Sequence, residues 1–553
     1  MKIKRMGAVF FLVVCVFCGC GKHEISHEKN GQNVSEEYRR AMEKAETTPT
    51  GVSGAVTYTL AQISGANNSN LPEGDTYEDN AYTRYLRKML NIQNDTVYMD
   101  TEERYSELVN ILVKDQNLPD IMVVTDREIL KELVENDLVE DLTEVFEKCT
   151  SPRIKEMYES YGDALLNSGK FNGRLMAVPE TVIDHGPNLL WLRKDWMEEL
   201  GLEEPETLED AFEIIDAFVQ NRMGTEDGET PVGLACDTNL VGTTSSSYSV
   251  DPVFDSFGAN PQRWISQDGE IVYGSLTEET KEALEYLHKL YDRGILDQNF
   301  ALRAPNNLRD LVVNGKCGAF FGLWWTPNNP LMESYEKNSE ADWEPYYLQE
   351  LADKNVYESF RDNKYVVVRK GYEHPEIVMK IISVLFDYTR YEAEDAREVN
   401  EYFALNVDPT ASPLVINVDY NEATYQVTEN IEAALNGNYP EGNLTAIEQS
   451  YYQACSSYLS GNDYTAEDWA AYKSRISAVG LLVDKHYTPA VRSYLDDAGG
   501  EIPQSLRQFE TSTFIQIIMG EKPVSYFETF VEQWYQQGGH ELTQQIRLSN
   551  PST

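Results

Sequence analysis

Positive charge is scarce in this chain of 553 residues: 46 Lys and Arg stand against 92 Asp and Glu, a formal charge of −46. A surface of that sign repels phosphate backbones and anionic headgroups, which argues against nucleic acid as a partner and against electrostatic adsorption to membranes. Cysteine is sparse as well, at seven residues, and three of them (Cys15, Cys18, Cys20) fall in the first twenty positions. The other four, Cys149, Cys236, Cys317 and Cys455, are far apart, with neither metal-ligand nor disulfide-scaffold spacing, so buried free thiols are expected. The chain has no GxxxxGK[ST] and no GxSxG, which removes the phosphate-binding loop and the nucleophile elbow. Some pair of carboxylates spaced for glycoside hydrolysis is inevitable among 92 acids, so such a pair carries no weight by itself.

The apolar run at the start is too short to cross a bilayer. "MKIKRMGAVFFLVVCVFCGC" has a basic opening (Lys2, Lys4, Arg5) and then a brief hydrophobic stretch, the pattern of a cleaved signal. Its end, Phe17-Cys18-Gly19-Cys20, resembles the processing site of bacterial lipoproteins, although Phe17 and Cys18 replace the commoner Leu and Ala or Ser. The resemblance makes residues 1–19 a signal peptide and Cys20 the acylated residue. Two or three acyl chains, at about 0.8 kcal/mol per buried CH₂, hold a protein stably at a membrane. Residues 20–54 are polar and poor in large apolar side chains, and read as a tether. The expected location is the cell membrane, facing the extracellular side.

From about Ala55 the pattern alternates strand and helix. "AVTYTLAQIS", "DTVYMD" and "PDIMVVTD" read as strands, with amphipathic helices between them, a βαβαβ series that makes a twisted parallel sheet. Ligands of such sheets bind outside the carboxyl ends of the strands, which puts Thr125 and Asp126 on the binding edge. A second unit begins near residue 171. "KFNGRLMAVPE" is a hairpin with Asn172-Gly173 at its turn, "NLLWL" a buried strand, and "KDWMEELG" a helix stopped by Gly201. Thr207 and Asp210 form a capping box for the next helix. The late strand "YVVVRK" implies a return to the first sheet. The expected division is lobe 1 over 55–175 with a returning segment of about 305–375, and lobe 2 over 176–304 with the mainly helical 376–553.

"GKFNGRLMAVP", "LLWLRKDWMEELGL", "PETLEDAFEIIDAF", "EALEYLHKLYDRGILDQNF", "NGKCGAFFGLWW", "YVVVRKGYEHPE" and "IIMGEKPVSYFETFVEQWYQQGG" occur in that order. Together they resemble the family 1 extracellular solute-binding lipoproteins of bacterial ABC importers, carbohydrate-type substrate-binding proteins. The resemblance implies a two-lobed periplasmic-binding-protein-like α/β fold with an interlobe cleft and a hinge, transporter permease subunits as partners, a monomer and no catalysis. Where many relatives carry an Asp-rich calcium loop, this chain has "NRMGTEDGETPVGL", which keeps only Asp227-Gly228 and the terminal Gly-Leu. Calcium needs six to eight oxygens, so neither a metal nor any other cofactor is expected.

Aromatic side chains at loops and strand ends suit the apolar faces of sugar rings, while Asn, Asp and His take hydroxyls. The candidates are Tyr248 in the Ser-rich "GTTSSSYS", Trp264, and the adjacent Trp324 and Trp325, with Asp126, Asp184 and His185. Strand alternation through "CGAFFGLW", ending near Leu323, makes the two adjacent indoles inequivalent. An oligosaccharide is the expected solute. A peptide ligand, an extracellular glycoside hydrolase and an adhesion lipoprotein are the alternatives left open by these residues.

Overall fold

The computed structural model describes residues 55–64, 71–125, 127–181, 188–226, 229–241, 247–267, 269–348, 356–358, 364–392, 396–407, 409–484, 493–494 and 502–549. Cys20 and the tether, together with Asp126, Asp184 and His185, lie outside the described residues.

Strands Val56–Ser64, Ile92–Thr101 and Ile121–Val124 form the parallel side of the first sheet, with 56–64 in the middle. All four residues of "IMVV" are buried, as a strand covered on both faces requires. Helices Ala81–Leu90 and Glu102–Asp115 make the crossovers. Asn80 starts the first of these: its side chain accepts from the Thr83 N–H at 3.2 Å, and the Thr83 hydroxyl accepts from the Asn80 N–H at 2.9 Å. That exchange satisfies two amides that a helix start leaves open. Two strands from elsewhere complete the sheet, both antiparallel to their neighbours: Tyr365–Val368 beside 121–124, then Val178–Pro179.

The second sheet has the order Trp343–Tyr346, Leu189–Arg193, Cys317–Gly322, Val232–Ala235. Strand 317–322 runs parallel to 232–235 and antiparallel to 189–193. Helices Leu208–Gln220, Glu278–Asp292, Gln504–Ile518 and Phe527–Trp534 share one core through Phe212, Leu287, Phe514 and Phe530. Local chemistry follows the sequence closely here. Asn172 and Gly173 take φ of 51° and 75° in the hairpin turn, and Gly201 ends its helix at φ 65°. Thr207 and Asp210 exchange hydrogen bonds, Asp210 N–H to Oγ1 at 3.2 Å and Thr207 N–H to Oδ2 at 2.9 Å.

The lobe boundaries differ from expectation. Lobe 1 runs to residue 181, because 178–179 pairs within the first sheet. Residues 305–346 belong to lobe 2, because 317–322 and 343–346 pair with 189–193. The chain returns to lobe 1 only at 365–368, and the following residues stay there: Ile377, Ile381 and Ile416 share a core with Leu60 and Ile121. Residues 423–484 form a helical block touching both lobes. Ile447 packs on the lobe 1 core, whereas Trp469, Val479 and Leu482 share a core with Leu189, Phe320 and Trp324. Lys473, buried, ties the block to strand 343–346 and the residue before it by ion pairs with Asp342 at 3.0 Å and Glu344 at 2.5 Å.

Candidate functional site

Strand 317–322 is buried along its whole length and stops one residue earlier than expected, at Gly322. Trp324, Trp325 and Thr326 then turn, with the Thr326 N–H donating to the Leu323 carbonyl at 3.0 Å. The turn comes so close that a Cβ on Gly322 would lie 2.6 Å from Thr326 Oγ1, 3.1 Å from the Phe320 ring and 3.3 Å from Ser247 Oγ. The close approach therefore demands glycine. Tyr248 is sewn to the same strand end: its N–H donates to the Phe321 carbonyl at 2.7 Å, and its own carbonyl accepts from the Asp237 N–H at 2.9 Å. Its ring lies 5.1 Å from that of Phe320, and its φ of 74° is a left-handed conformation seldom taken by a bulky residue.

Around this strand end, buried polar atoms go without partners. They are Asn188 Oδ1, Ser247 Oγ, Tyr248 Oη, Trp324 Nε1, Thr326 Oγ1 and Asn328 Oδ1. Asn188 is held by its other arm, Nδ2 donating to Ser249 Oγ at 2.9 Å. Each unmade hydrogen bond costs about 1–3 kcal/mol, and folded proteins seldom concentrate such losses without a use for them. The atoms come from three short segments, 188, 247–249 and 324–328, which meet at the carboxyl ends of the parallel strands 232–235 and 317–322. Asn188 also directly follows the passage of the chain from lobe 1 to lobe 2. The arrangement suits a ligand with apolar ring faces and several hydroxyl-like donors and acceptors.

The two tryptophans are inequivalent, through a turn rather than through strand alternation. Trp324 is buried at 4% exposure and Trp325 is half-buried in the same cluster. The Arg475 guanidinium lies over the Trp324 ring, 4.5 Å from the centroid, and over the Tyr451 ring at 4.3 Å. Nearby, Arg390 bonds Asp419 at 2.5 Å and the Asn417 side chain at 3.0 Å. Burial pushes the Asp419 carboxyl up, with Arg390 and, more weakly, Arg475 opposing the rise.

Of the expected residues, the structure thus brings Tyr248, Trp324 and Trp325 together. Trp264 goes elsewhere. It opens strand Trp264–Gln267, is 3% exposed, and packs 5.1 Å from Tyr273, which itself stacks on Trp534 at 5.0 Å. Hairpin pairing with Glu270–Tyr273 turns that indole into the lobe 2 core, so its place is packing. Sequence reasoning missed Ser247, Thr326, Asn328, Arg475 and Tyr451. Ser247 sits in the run already singled out as Ser-rich. Nothing in the local sequence marks Arg475, about 150 residues from the tryptophan it covers.

Among the described residues no group of three or more His, Cys, Asp and Glu is placed to hold a metal. In the loop matched to the calcium site, the Lys316 ammonium sits 3.5 Å from Glu226 and 3.0 Å from Glu229. The string His23-Glu24-Ile25-Ser26-His27 has the spacing of a zinc-protease helix and lies outside the described residues. The four body cysteines are buried thiols. Burial pushes Cys317 up to about 12.

No protein-family model matches the chain. It is 21% identical over 358 residues to the polygalacturonan/rhamnogalacturonan-binding protein YtcQ of Bacillus subtilis (strain 168), covering 64% of this chain and 66% of YtcQ. It is 26% identical over 222 residues to lipoprotein LipO of the same organism, covering 39% of this chain and 41% of LipO. The chain thus spans less than two thirds of the length of these relatives. Among solved structures, an extracellular solute-binding protein from Bifidobacterium longum subsp. infantis superimposes with a TM-score of 0.56 at 13% identity, over 90% of this chain and 98% of that one. The fold is therefore that of the two-lobed solute-binding proteins, with the strand-end rim at 188, 247–249 and 324–328 beside the passage between the lobes.

Proposed function

We propose that this chain is the extracellular solute-binding component of an ABC importer, held at the membrane through acylated Cys20, and that it captures an oligosaccharide at the rim formed by 188, 247–249 and 324–328. The observation that carries the reading is the crowding of unpartnered, buried polar atoms beside Tyr248, Trp324 and Trp325. Sugar rings stack their C–H faces on indole and phenol, and their hydroxyls both donate and accept. The name of YtcQ, a binder of polygalacturonan and rhamnogalacturonan, supports a carbohydrate, and that of LipO supports the lipid anchor. YtcQ is named as a binding protein, in keeping with capture followed by delivery to permease subunits without chemistry.

Titration calorimetry of the purified protein against a panel of oligosaccharides and short peptides tests the reading. Saturable binding of a sugar is the expected result. Binding of peptides and of no sugar would transfer the site to the peptide class. For the anchor, mass spectrometry of membrane-extracted protein should find acyl chains on Cys20, and Cys20→Ala should leave the precursor uncleaved.

A further inference from the structure

Three arginines are buried among the described residues: Arg193, Arg390 and Arg475. Arg193 holds Asp195 at 2.5 Å, and Arg390 holds Asp419 at 2.5 Å. Buried Lys473, two residues before Arg475, has two carboxylates of its own. Arg475 has none within salt-bridge distance among the described residues. Its hydrogen-bond partner is the Tyr451 hydroxyl, 3.0 Å from Nη2, and its Nε is buried with no acceptor. Asp419, whose carboxyl Arg475 influences only weakly, is already engaged by Arg390. In a chain with twice as many acids as bases, an uncompensated buried cation is anomalous.

The Arg475 guanidinium lies over both the Trp324 and the Tyr451 rings, and its Nε is left without an acceptor. Beside it, the Trp324 indole N–H is a second buried donor without an acceptor. Both groups donate only, so the missing partner accepts, and the unbalanced charge makes it an anion. We infer that the solute is an acidic oligosaccharide and that a ring carboxylate, the group of a uronic acid, is received by Arg475 Nε and Trp324 Nε1. This deepens the oligosaccharide reading of the same rim and rests on it. A guanidinium suits the task better than an ammonium, because its plane can stack on the indole while its edge meets the carboxylate.

The test uses matched probes on the full-length processed protein: trigalacturonate and triglucuronate, and the same trisaccharides with each carboxylate reduced to CH₂OH. The wild type should bind at least one uronate trisaccharide roughly 100-fold more tightly than its reduced form, the scale of a buried charge pair broken on one side. Arg475→Met keeps a side chain to fill the place beside the indole and should erase that preference, so that the acidic and the reduced trisaccharide bind alike. Should Arg475→Met fail to fold by its melting curve, Trp324→Phe, which removes the indole N–H and keeps an aromatic ring in its place, should still shrink the preference. Equal binding of acidic and reduced sugars by the wild type would overturn the inference and leave the oligosaccharide reading standing. Binding of neither class, nor of any sugar in the wider panel, would overturn both.

Discussion

Trp324 and Trp325 are chain neighbours with different work. Trp324, 4% exposed beneath Arg475, braces the turn against the helical block, whereas Trp325 keeps part of its ring accessible. Trp325→Ala should therefore weaken oligosaccharide binding by about 2–4 kcal/mol with little change in melting temperature. Trp324→Ala should cost about 3–5 kcal/mol of stability, the range for a large buried aromatic, in addition to the indole N–H proposed to meet an acidic ligand. Calorimetry and melting curves of the two variants side by side decide this, and an exchange of the two effects would reverse the assignment. Glu510 offers a separate residue-level test inside lobe 2. It is fully buried, accepting from Tyr273 Oη at 3.0 Å and Ser275 Oγ at 2.7 Å, and burial raises its carboxyl from 4.5 to about 7 despite those bonds. The folded state then binds more protons than the unfolded state between about pH 4.5 and 7. This group's contribution to stability is therefore full below that window and is lost as pH rises through it, by on the order of 3 kcal/mol. Urea unfolding of wild type and Glu510→Gln across that range should show the slope in the first and its loss in the second.

At the scale of elements, the strand 317–322 and the turn after it form one unit whose geometry rests on Gly322. Gly322→Ala places a methyl against Thr326 Oγ1 and the Phe320 ring, both buried. The expected cost is about 1–3 kcal/mol, with weaker ligand binding because the 324–328 segment moves. Gly322→Ala/Thr326→Ala removes the nearer obstacle and should recover part of the stability in denaturant titrations. Other elements were readable directly. The Asn172-Gly173 turn, the Gly201 stop and the Thr207–Asp210 box all depend on residues within three or four positions of one another. The continuous apolar run of 317–322 was readable as a buried strand as well. Its partners were not, and so the return to lobe 1 was expected near 305 instead of 365: two sheets competed for the same strand, and only the pairing with 189–193 and 232–235 settles the matter.

For the whole molecule, the chain is in lobe 1 up to 181 and in lobe 2 from 188, is still in lobe 2 at 356–358 and back in lobe 1 at 365–368, and the block 423–484 packs on both. Multiple passages allow rotation about a short axis while restraining shear, which favours closure as a hinge. A ligand gripped from more than one side should select the closed form and raise stability by RT ln(1 + [L]/Kd), about 2.7 kcal/mol at 100 Kd. Small-angle scattering should then give a smaller radius of gyration with saturating oligosaccharide than without, and identical profiles would contradict closure.

The sequence by itself determined the net acidic charge, the α/β class, the helix caps and turns, and the presence of aromatic side chains at strand ends. Each of these follows from composition or from interactions between near neighbours in the chain. Tertiary structure alone decided which of those aromatics meet. Trp264 turned into the lobe 2 core because its hairpin partner set its facing, while Tyr248 came to the tryptophans through a backbone hydrogen bond to Phe321. Arg475 reached Trp324 across about 150 residues because the helical block docks on strand 343–346 through Lys473. Contacts of that kind have no local signature: loop closure costs rise only slowly with chain separation, so which distant partners pair is settled by the packing of the whole set at once.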